Sequence, residues 1–177
     1  KQLTADGNVD VDMEFWEKKI EEAAAQGQRV LGLAFNTADN NRTQFNKDDL
    51  GKQNIFLGVV GIIDPPRDEV IEAIKECRSA GVEVKMITGD HAITARAIGK
   101  ELGIGDGVKS ITGKELEQMS DQEMRELVGE YDIYARTSPE HKLRLVKALQ
   151  DNGLLCAMTG DGVNDAPALK RANIGIA

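Results

Sequence analysis

The amino-acid sequence predicts an α/β fold in which a parallel β-sheet is flanked by helices. From Ile55 onward, short apolar runs alternate with stretches of helical periodicity, which is typical of right-handed βαβ units. Three polar clusters each follow a predicted strand: TGD at 88–90, RTSPEHK at 136–142 and TGDGVND at 159–165. Because ligands of such sheets bind beyond the carboxyl ends of the strands, we expect these clusters to converge on one crevice.

The composition narrows the class of protein. The chain has 177 residues and a net charge of −8, which allows one domain plus a piece of another and argues against a nucleic-acid-binding protein. The acidic balance is compatible with an ATP site, because a few basic residues can be set within an acidic surface. No apolar run approaches the ~20 residues that cross a bilayer. Since the first residue is Lys1, we expect a piece of a longer protein.

The cysteines and histidines show no metal-ligand pattern. Cys77 and Cys156 lack ligand spacing and lie in apolar periodic segments, which favours free, buried thiols over a disulfide. His91 and His141 lie in the first turns of predicted helices, and we expect both side chains to be partly exposed.

The first 54 residues predict one helix and one strand. We expect residues 1–11 to be loose, because they are polar. Apolar residues at helical spacing predict a helix from Asp12 to Gln26, which Gly27 ends as a left-handed cap. RVLGLAF at 29–35 predicts a strand, whereas 36–54 has no periodicity and predicts a loop.

The later elements follow from apolar runs and from helix boundary signals. IFLGVVGII at 55–63 is almost continuously apolar, as in a strand that is covered on both faces. The sequences TGKE and SDQE have the spacing of capping boxes, and Ser138 followed by Pro139 opens a helix. The predicted elements are strand 55–63, helix 67–80, strand 82–88, helix 91–102, two short helices within 112–129, strand 132–135, helix 139–151, strand 154–158, helix 165–172 and strand 174–177.

The third cluster combines glycines with closely spaced carboxylates. Gly160 and Gly162 let the backbone bend sharply and approach a ligand. Asp161 and Asp165 would repel each other unless a hard cation lay between them, and Mg²⁺ prefers few carboxylates together with water and phosphate oxygens. The cluster therefore favours a site for magnesium and phosphate. An Asx-rich helix cap without a metal is the alternative.

The other two clusters supply groups that bind phosphate. Thr88 offers a hydroxyl and an amide to a phosphoryl oxygen, Gly89 leaves space beside it, and the next helix points its N-terminus to the same place. Lys142 would offset the charge of a phosphoryl group, and Arg136 would reach a nucleotide from a strand end. An ordinary turn and solvated surface charges are the alternatives. Together the clusters would supply the cation, hydroxyl and ammonium of a phosphoryl-transfer site.

Four motifs, DPPR, MITGD, SPEHK and TGDGVNDAP, together resemble one family. They are similar to the cytoplasmic part of type II P-type cation-transporting ATPases, which belong to the haloacid-dehalogenase-like phosphoryl-transfer superfamily. The similarity runs from about Gln28 to the last residue. It implies a Rossmann-like sheet flanked by helices, an ATP-driven cation pump as the whole protein, and Mg²⁺ and ATP as cofactors.

The resemblance also implies roles for individual residues. The catalytic residues would be Thr88, Gly89, Lys142, Asp161 and Asp165, and the last two would bind Mg²⁺. Residues that would bind the nucleotide or support the phosphate site are Arg29, Leu31, Asp64, Arg67, Asp90, Arg136 and Asn164. DPPR at 64–67 resembles the hinge between two domains, and its prolines fix φ there.

By the same resemblance, 1–54 would end a nucleotide-binding domain and 55–177 would be the second segment of a phosphorylation domain. The family's nucleophile is the aspartate of an Asp-Lys-Thr-Gly-Thr sequence, which this chain lacks, so we expect the chain alone to be inactive. Because that strand lies centrally in the family's sheet, we also expect a gap with unpaired backbone groups.

The implied partners are ATP and the rest of the pump: the nucleophile-bearing segment, an actuator domain and membrane helices. The whole protein would be an integral membrane protein with this segment on the cytoplasmic side, in contact with neither the membrane nor nucleic acid. Two other functions remain open. Activity on a small phosphate ester would favour a stand-alone phosphatase, and Mg²⁺ binding without nucleotide binding would favour a non-catalytic scaffold domain.

Overall fold

The computed structural model describes residues 1–37, 44, 53–105 and 109–177. The chain divides into two compact units, Lys1–Asp64 and Pro65–Ala177. The predicted boundary lay after residue 54, so strand 55–62 falls in the first unit and not in the second. The assignment of the units to domains of a pump stays a prediction. The predicted loop at 36–54 lies largely outside the described residues.

The first unit is a four-stranded sheet with one helix packed on it. The strand order is β2-β1-β4-β3, with β3 antiparallel and β1 parallel to β4. Trp16 of the helix packs edge-to-face on Phe56 of β4, with ring centroids 5.0 Å apart. The bounds are β1 Gln2–Thr4, β2 Gly7–Val9, α1 Met13–Ala25, β3 Arg29–Phe35 and β4 Ile55–Ile62.

Two expectations for this unit were wrong. Residues 1–11 are not loose, because β1 and β2 form an antiparallel hairpin whose Gln2 Oε1 accepts hydrogen bonds from Trp16 Nε1 and Asp12 N. The strand at 55–62 is not covered on both faces. Val60 and Ile62 are 44% and 51% exposed, in a strand that pairs antiparallel with β3 and packs against α1.

The second unit confirms the α/β fold with parallel strands flanked by helices, but its strands form two sheets. One sheet has the order β5-β7-β6 and the other pairs β8 with β9, all in parallel. No strand pairing links these two sheets within the described residues. The bounds are α2 Asp68–Ser79, β5 Met86–Ile87, α3 Ala92–Leu102, β6 Ser110–Thr112, α4 Gly113–Glu117, α5 Asp121–Leu127, β7 Ile133–Ala135, α6 Pro139–Asp151, β8 Ala157–Thr159, α7 Ala166–Arg171 and β9 Ile174–Ile176.

The middle strand β7 holds the core of this unit together. Its side chains alternate between two hydrophobic clusters, as the period of a strand requires. Ile133 and Ala135 pack with Ile74 and Ala95 of α2 and α3, whereas Tyr134 packs with residues of α4, α5 and α6. All three are at most 2% exposed. The loop that begins at Arg136 therefore follows a strand whose side chains are fully packed.

The helix boundary signals were confirmed. Both predicted capping boxes are present, and Ser138 caps α6 with Pro139 at its start. Gly27, Gly81 and Gly103 have φ of 77°, 79° and 71°, which ends their helices in the left-handed region. Cys77 and Cys156 are free, as expected, and partly buried. Within the described part of the chain, the helices are too short or too polar to cross a membrane.

Candidate functional site

The loop after β5 is closed by its own polar groups. The Thr88 hydroxyl donates to Asp90 Oδ2 at 2.8 Å and accepts from the Asp90 N–H at 3.1 Å. The Thr88 N–H donates to Tyr134 O at 2.9 Å, which extends the pairing of β5 with β7. A Cβ built on Gly89 would meet nothing within 4 Å, so the loop leaves open space beside Thr88.

The loop after β7 is hydrogen-bonded to the loop after β5. Arg136 has a φ of 53°, a left-handed conformation that turns the chain sharply. Its N–H donates to Asp90 O at 3.0 Å, and the Thr137 N–H and hydroxyl both donate to Thr88 O at 3.1 Å. The structure therefore joins two of the three predicted clusters, as expected for the carboxyl ends of neighbouring parallel strands.

Helix α6 starts from this second loop through a reciprocal cap. The Ser138 N–H donates to His141 Nδ1 at 3.0 Å, and the His141 N–H donates to Ser138 Oγ at 3.4 Å. The expectation that His141 is partly exposed was wrong, because this cap turns its ring inward until the residue is only 4% exposed. His141 Nε2 lies 3.8 Å from Glu117 Oε1. His91 is exposed, at the N-cap of α3.

An ion pair joins α6 to the third cluster. Lys142 Nζ lies 2.6 Å from Asp165 Oδ1, with the side chains 20% and 10% exposed. Lys142 is in the first turn of α6, and Asp165 ends the 3-10 turn Val163–Asp165 after β8. The second and third predicted clusters are thus in direct contact.

The third loop folds around the carboxylate of Asp165. A Cβ on Gly160 would come within 2.7 Å of Asp165 Oδ2, so only glycine allows this approach. The Gly162 N–H donates to the same oxygen at 3.4 Å. Asp161 and Asn164 are exposed, whereas Asp165 is buried. The two carboxylates of the motif therefore have different surroundings.

The charges of this loop follow from those contacts. The hydrogen bond from the Lys142 ammonium lowers the pKa of Asp165 below its usual 3.8, although partial burial opposes the shift, and the Gly162 N–H lowers it further. Asp165 is thus ionised at neutral pH and bound to a cation of the protein. Asp161 is the exposed carboxylate of the loop.

The fit to Mg²⁺ rests on Asp161. The described residues contain no group of three or more His, Cys, Asp or Glu side chains that would form a complete metal cage. Mg²⁺ needs no such cage, since it keeps several waters and binds through one or two carboxylates and phosphate oxygens. An exposed Asp161 beside the Lys142–Asp165 pair suits that mode. The metal-binding roles of Asp161 and Asp165 stay predictions.

The remaining nucleotide-site predictions fall on both units. Arg29 and Leu31 are exposed on β3, and Asp64 is the last residue of the first unit. Arg67 is exposed at the N-cap of α2, where its side chain makes no capping hydrogen bond. Their roles stay predictions.

Sequence reasoning missed Thr137. The residue lies between two predicted features, Arg136 and the Ser138 cap, and its type alone indicates nothing. Only the left-handed turn at Arg136 directs its hydroxyl to the carbonyl of Thr88. A non-glycine residue with positive φ has no reliable sequence signal.

Comparison with known proteins agrees with the motifs. The family model described as haloacid dehalogenase-like hydrolase matches residues 5–173. The chain is 48% identical to the cation-transporting ATPase pma1 of Synechocystis sp. over 99% of this chain and 20% of that protein. It is 46% identical to calcium-transporting ATPase 1 of Bacillus cereus, again over 99% of this chain and 20% of that protein.

A human relative extends the similarity beyond bacteria. The chain is 48% identical to the calcium-transporting ATPase type 2C member 2 of Homo sapiens over 85% of this chain and 15% of that protein. The chain thus spans at most 20% of the length of these three relatives. It corresponds to one part of cation-transporting ATPases, and it belongs to the haloacid dehalogenase-like hydrolase family.

Proposed function

We propose that this chain is part of an ATP-driven cation pump, in which its second unit forms the phosphate site for phosphorylation of an aspartate elsewhere in the whole protein. One observation carries the proposal. Lys142 and Asp165 lie 2.6 Å apart, so that the first turn of α6 meets the loop after β8. The hydrogen bonds of Thr137 to Thr88 link the loop after β5 to the loop that precedes α6. All three predicted clusters are thus connected. Similarity to cation- and calcium-transporting ATPases supports transport of a cation.

Lys142, Thr88 and Gly89 would hold the transferred phosphoryl group. The Lys142 side chain is 20% exposed, and an ammonium has three donors, so it can contact an anion while it stays near Asp165. The open space at Gly89 lets a phosphoryl oxygen approach the backbone, and the N-terminus of the 11-residue helix α3 follows directly. The positive end of that helix dipole favours an anion there.

Asp161 would hold Mg²⁺, with Asp165 orienting Lys142 and the loop. Bound Mg²⁺ would offset the negative charge on the phosphoryl oxygens. Asp165 would act through its ion pair, which keeps the Lys142 ammonium at the site, and through its hydrogen bond with Gly162. Two carboxylates of one motif would then have separate tasks, one toward the metal and one toward the lysine.

The residues assigned to nucleotide binding or to support of the phosphate site would keep those roles in the whole protein. These are Arg29, Leu31 and Asp64 in the first unit, and Arg67, Asp90, Arg136 and Asn164 in the second. Arginine suits phosphate because its planar group donates several hydrogen bonds. The whole protein would be an integral membrane pump with this segment on the cytoplasmic side. Its partners there would be the nucleophile-bearing segment, the actuator domain and the membrane helices.

The chain by itself would not turn over ATP, because the Asp-Lys-Thr-Gly-Thr sequence of the nucleophile is absent from it. The same absence argues against a stand-alone phosphatase, which would need that aspartate. Incubation of the chain with radiolabelled ATP and Mg²⁺ should leave it unlabelled.

The test is phosphorylation of the full-length protein that contains this chain. Asp161→Asn should abolish the acid-stable label from ATP, because the amide cannot hold Mg²⁺ against the phosphoryl group. Asp151→Asn is the matched control. Asp151 ends α6, about 13 Å along the helix from Lys142, and its loss should leave labelling unchanged. Normal labelling of Asp161→Asn, or an unlabelled wild type, would refute the proposal.

A further inference from the structure

Thr88 is held at each of its polar groups, and residues outside its loop hold its N–H and its carbonyl oxygen. Its N–H donates to Tyr134 O, and its hydroxyl is engaged by Asp90. Its carbonyl oxygen accepts two hydrogen bonds, from the N–H and from the hydroxyl of Thr137, both at 3.1 Å. The orientation of that carbonyl therefore depends on the neighbouring loop.

The carbonyl of Thr88 determines the direction of the next N–H. A peptide unit is planar and trans, so holding the Thr88 oxygen on one side points the Gly89 N–H to the other side. Gly89 has no side chain, and a Cβ there would meet nothing within 4 Å. Glycine allows many backbone conformations, so packing at Gly89 does little to prevent rotation of this peptide. The double contact from Thr137 supplies the missing restraint.

We propose that Thr137 is a positioning residue, whose hydroxyl fixes the Thr88–Gly89 peptide so that its N–H faces the phosphoryl group. This inference rests on the proposed function. Thr137 is directly followed by Ser138, the cap of the helix that carries Lys142. One residue thus couples the peptide at Gly89 to the start of α6. Arg136, with its left-handed φ of 53°, gives Thr137 the direction that this contact needs.

Two substitutions separate the hydroxyl from the rest of the side chain. Thr137→Val keeps the shape and the backbone N–H but removes the hydroxyl. Thr137→Ser keeps the hydroxyl and removes a methyl group. If the hydroxyl acts as proposed, the serine variant behaves as the wild type. If Thr137 matters only for packing, the valine variant behaves as the wild type and the serine variant does not.

The first measurement is amide hydrogen exchange on this chain, which needs no activity. Loss of one hydrogen bond should speed exchange of the Asp90 and Thr137 amides about fivefold in Thr137→Val. Thr137→Ser should stay close to the wild type. The Val128 amide, which donates to Met124 O in the core of the same unit, should not change in either variant. Equal exchange in the valine variant and the wild type would overturn the inference.

The second measurement is phosphorylation of the full-length protein by ATP. Thr137→Val should slow labelling about tenfold with the KM for ATP unchanged, because a misoriented donor costs reactivity and not nucleotide affinity. Thr137→Ser should restore the rate. A labelled wild type with a fully active valine variant would overturn only the role of Thr137. A wild type that is never labelled would refute the proposed function, and the role of Thr137 with it.

Discussion

At the scale of single residues, the two aspartates of TGDGVND differ in a way that their spacing does not show. The sequence predicts both as magnesium ligands, because both are carboxylates on one short loop. In the structure Asp165 is bound to Lys142 and to the Gly162 N–H, whereas Asp161 is exposed. The partner of Asp165 is 23 residues away in the sequence. Such a contact depends on the packing of α6 against the loop, which no local pattern encodes.

The Lys142–Asp165 pair should make the stability of the second unit depend on pH in the acid range. Lys142 lowers the pKa of Asp165 below 3.8 in the folded state. The ion pair therefore stabilises the folded second unit at pH values above 3.8. Its contribution is lost as the pH falls below 3.8 through the lower, folded-state pKa. Asp165→Asn removes this part of the pH dependence. The check is denaturant unfolding from neutral to acid pH, followed by near-UV circular dichroism of Tyr131 and Tyr134.

Two other carboxylates provide an internal control for that experiment. Hydrogen bonds from Thr112 and Ser120 lower the pKa values of Glu115 and Glu123. Both glutamates are present in the wild type and in Asp165→Asn. The difference between wild type and Asp165→Asn therefore isolates the ion pair. Free-energy curves that run parallel below pH 4 would contradict the assigned pKa shift.

At the scale of elements, helices were predicted better than strands. Helix ends are encoded locally, by caps such as the two boxes at α4 and α5 and by Gly103. The extent of a strand depends on its neighbour. The strand predicted over 82–88 is reduced to Met86–Ile87, where it pairs with β7. The three-residue strand β6 was missed for the same reason, since pairing with β7 and not periodicity defines it.

Gly113→Ala should destabilise the second unit, because α4 begins in close contact with the backbone after β7. A Cβ on Gly113 would collide with the carbonyl oxygen of Arg136 and would lie 3.1 Å from His141 Cε1. A backbone oxygen cannot rotate away, so we expect a loss of about 2 kcal/mol in the free energy of unfolding. Denaturant unfolding measures this loss.

Gly129→Ala is the matched control for Gly113→Ala. Both substitutions restrict the unfolded chain equally, but a Cβ on Gly129 would meet nothing within 4 Å. Its free energy of unfolding should stay within about 0.5 kcal/mol of the wild type. Equal effects at the two glycines would mean that the contact between α4 and Arg136 is not tight in solution.

At the scale of the whole molecule, the sequence predicts the α/β class of the second unit, whereas the strand at 55–62, which it assigns to the second segment, lies in the first compact unit. An apolar run such as 55–63 fits a buried parallel strand as well as a strand of an antiparallel sheet with an exposed face. Only its pairing with β3 decides between them. The prolines at 65 and 66 begin the second unit, so DPPR was the better boundary signal.

Each unit should respond separately to a substitution in its core, and the chain carries one natural probe for each. Trp16, the single tryptophan, lies in the first unit, and both tyrosines lie in the second. Leu145→Ala removes a side chain that is 1% exposed in the second core, which should cost about 2–5 kcal/mol. The tyrosine near-UV transition should shift to lower denaturant while the Trp16 fluorescence transition stays in place. Leu155→Ala, at 88% exposed, should move neither. Equal shifts of both probes in Leu145→Ala would mean that the two units unfold as one.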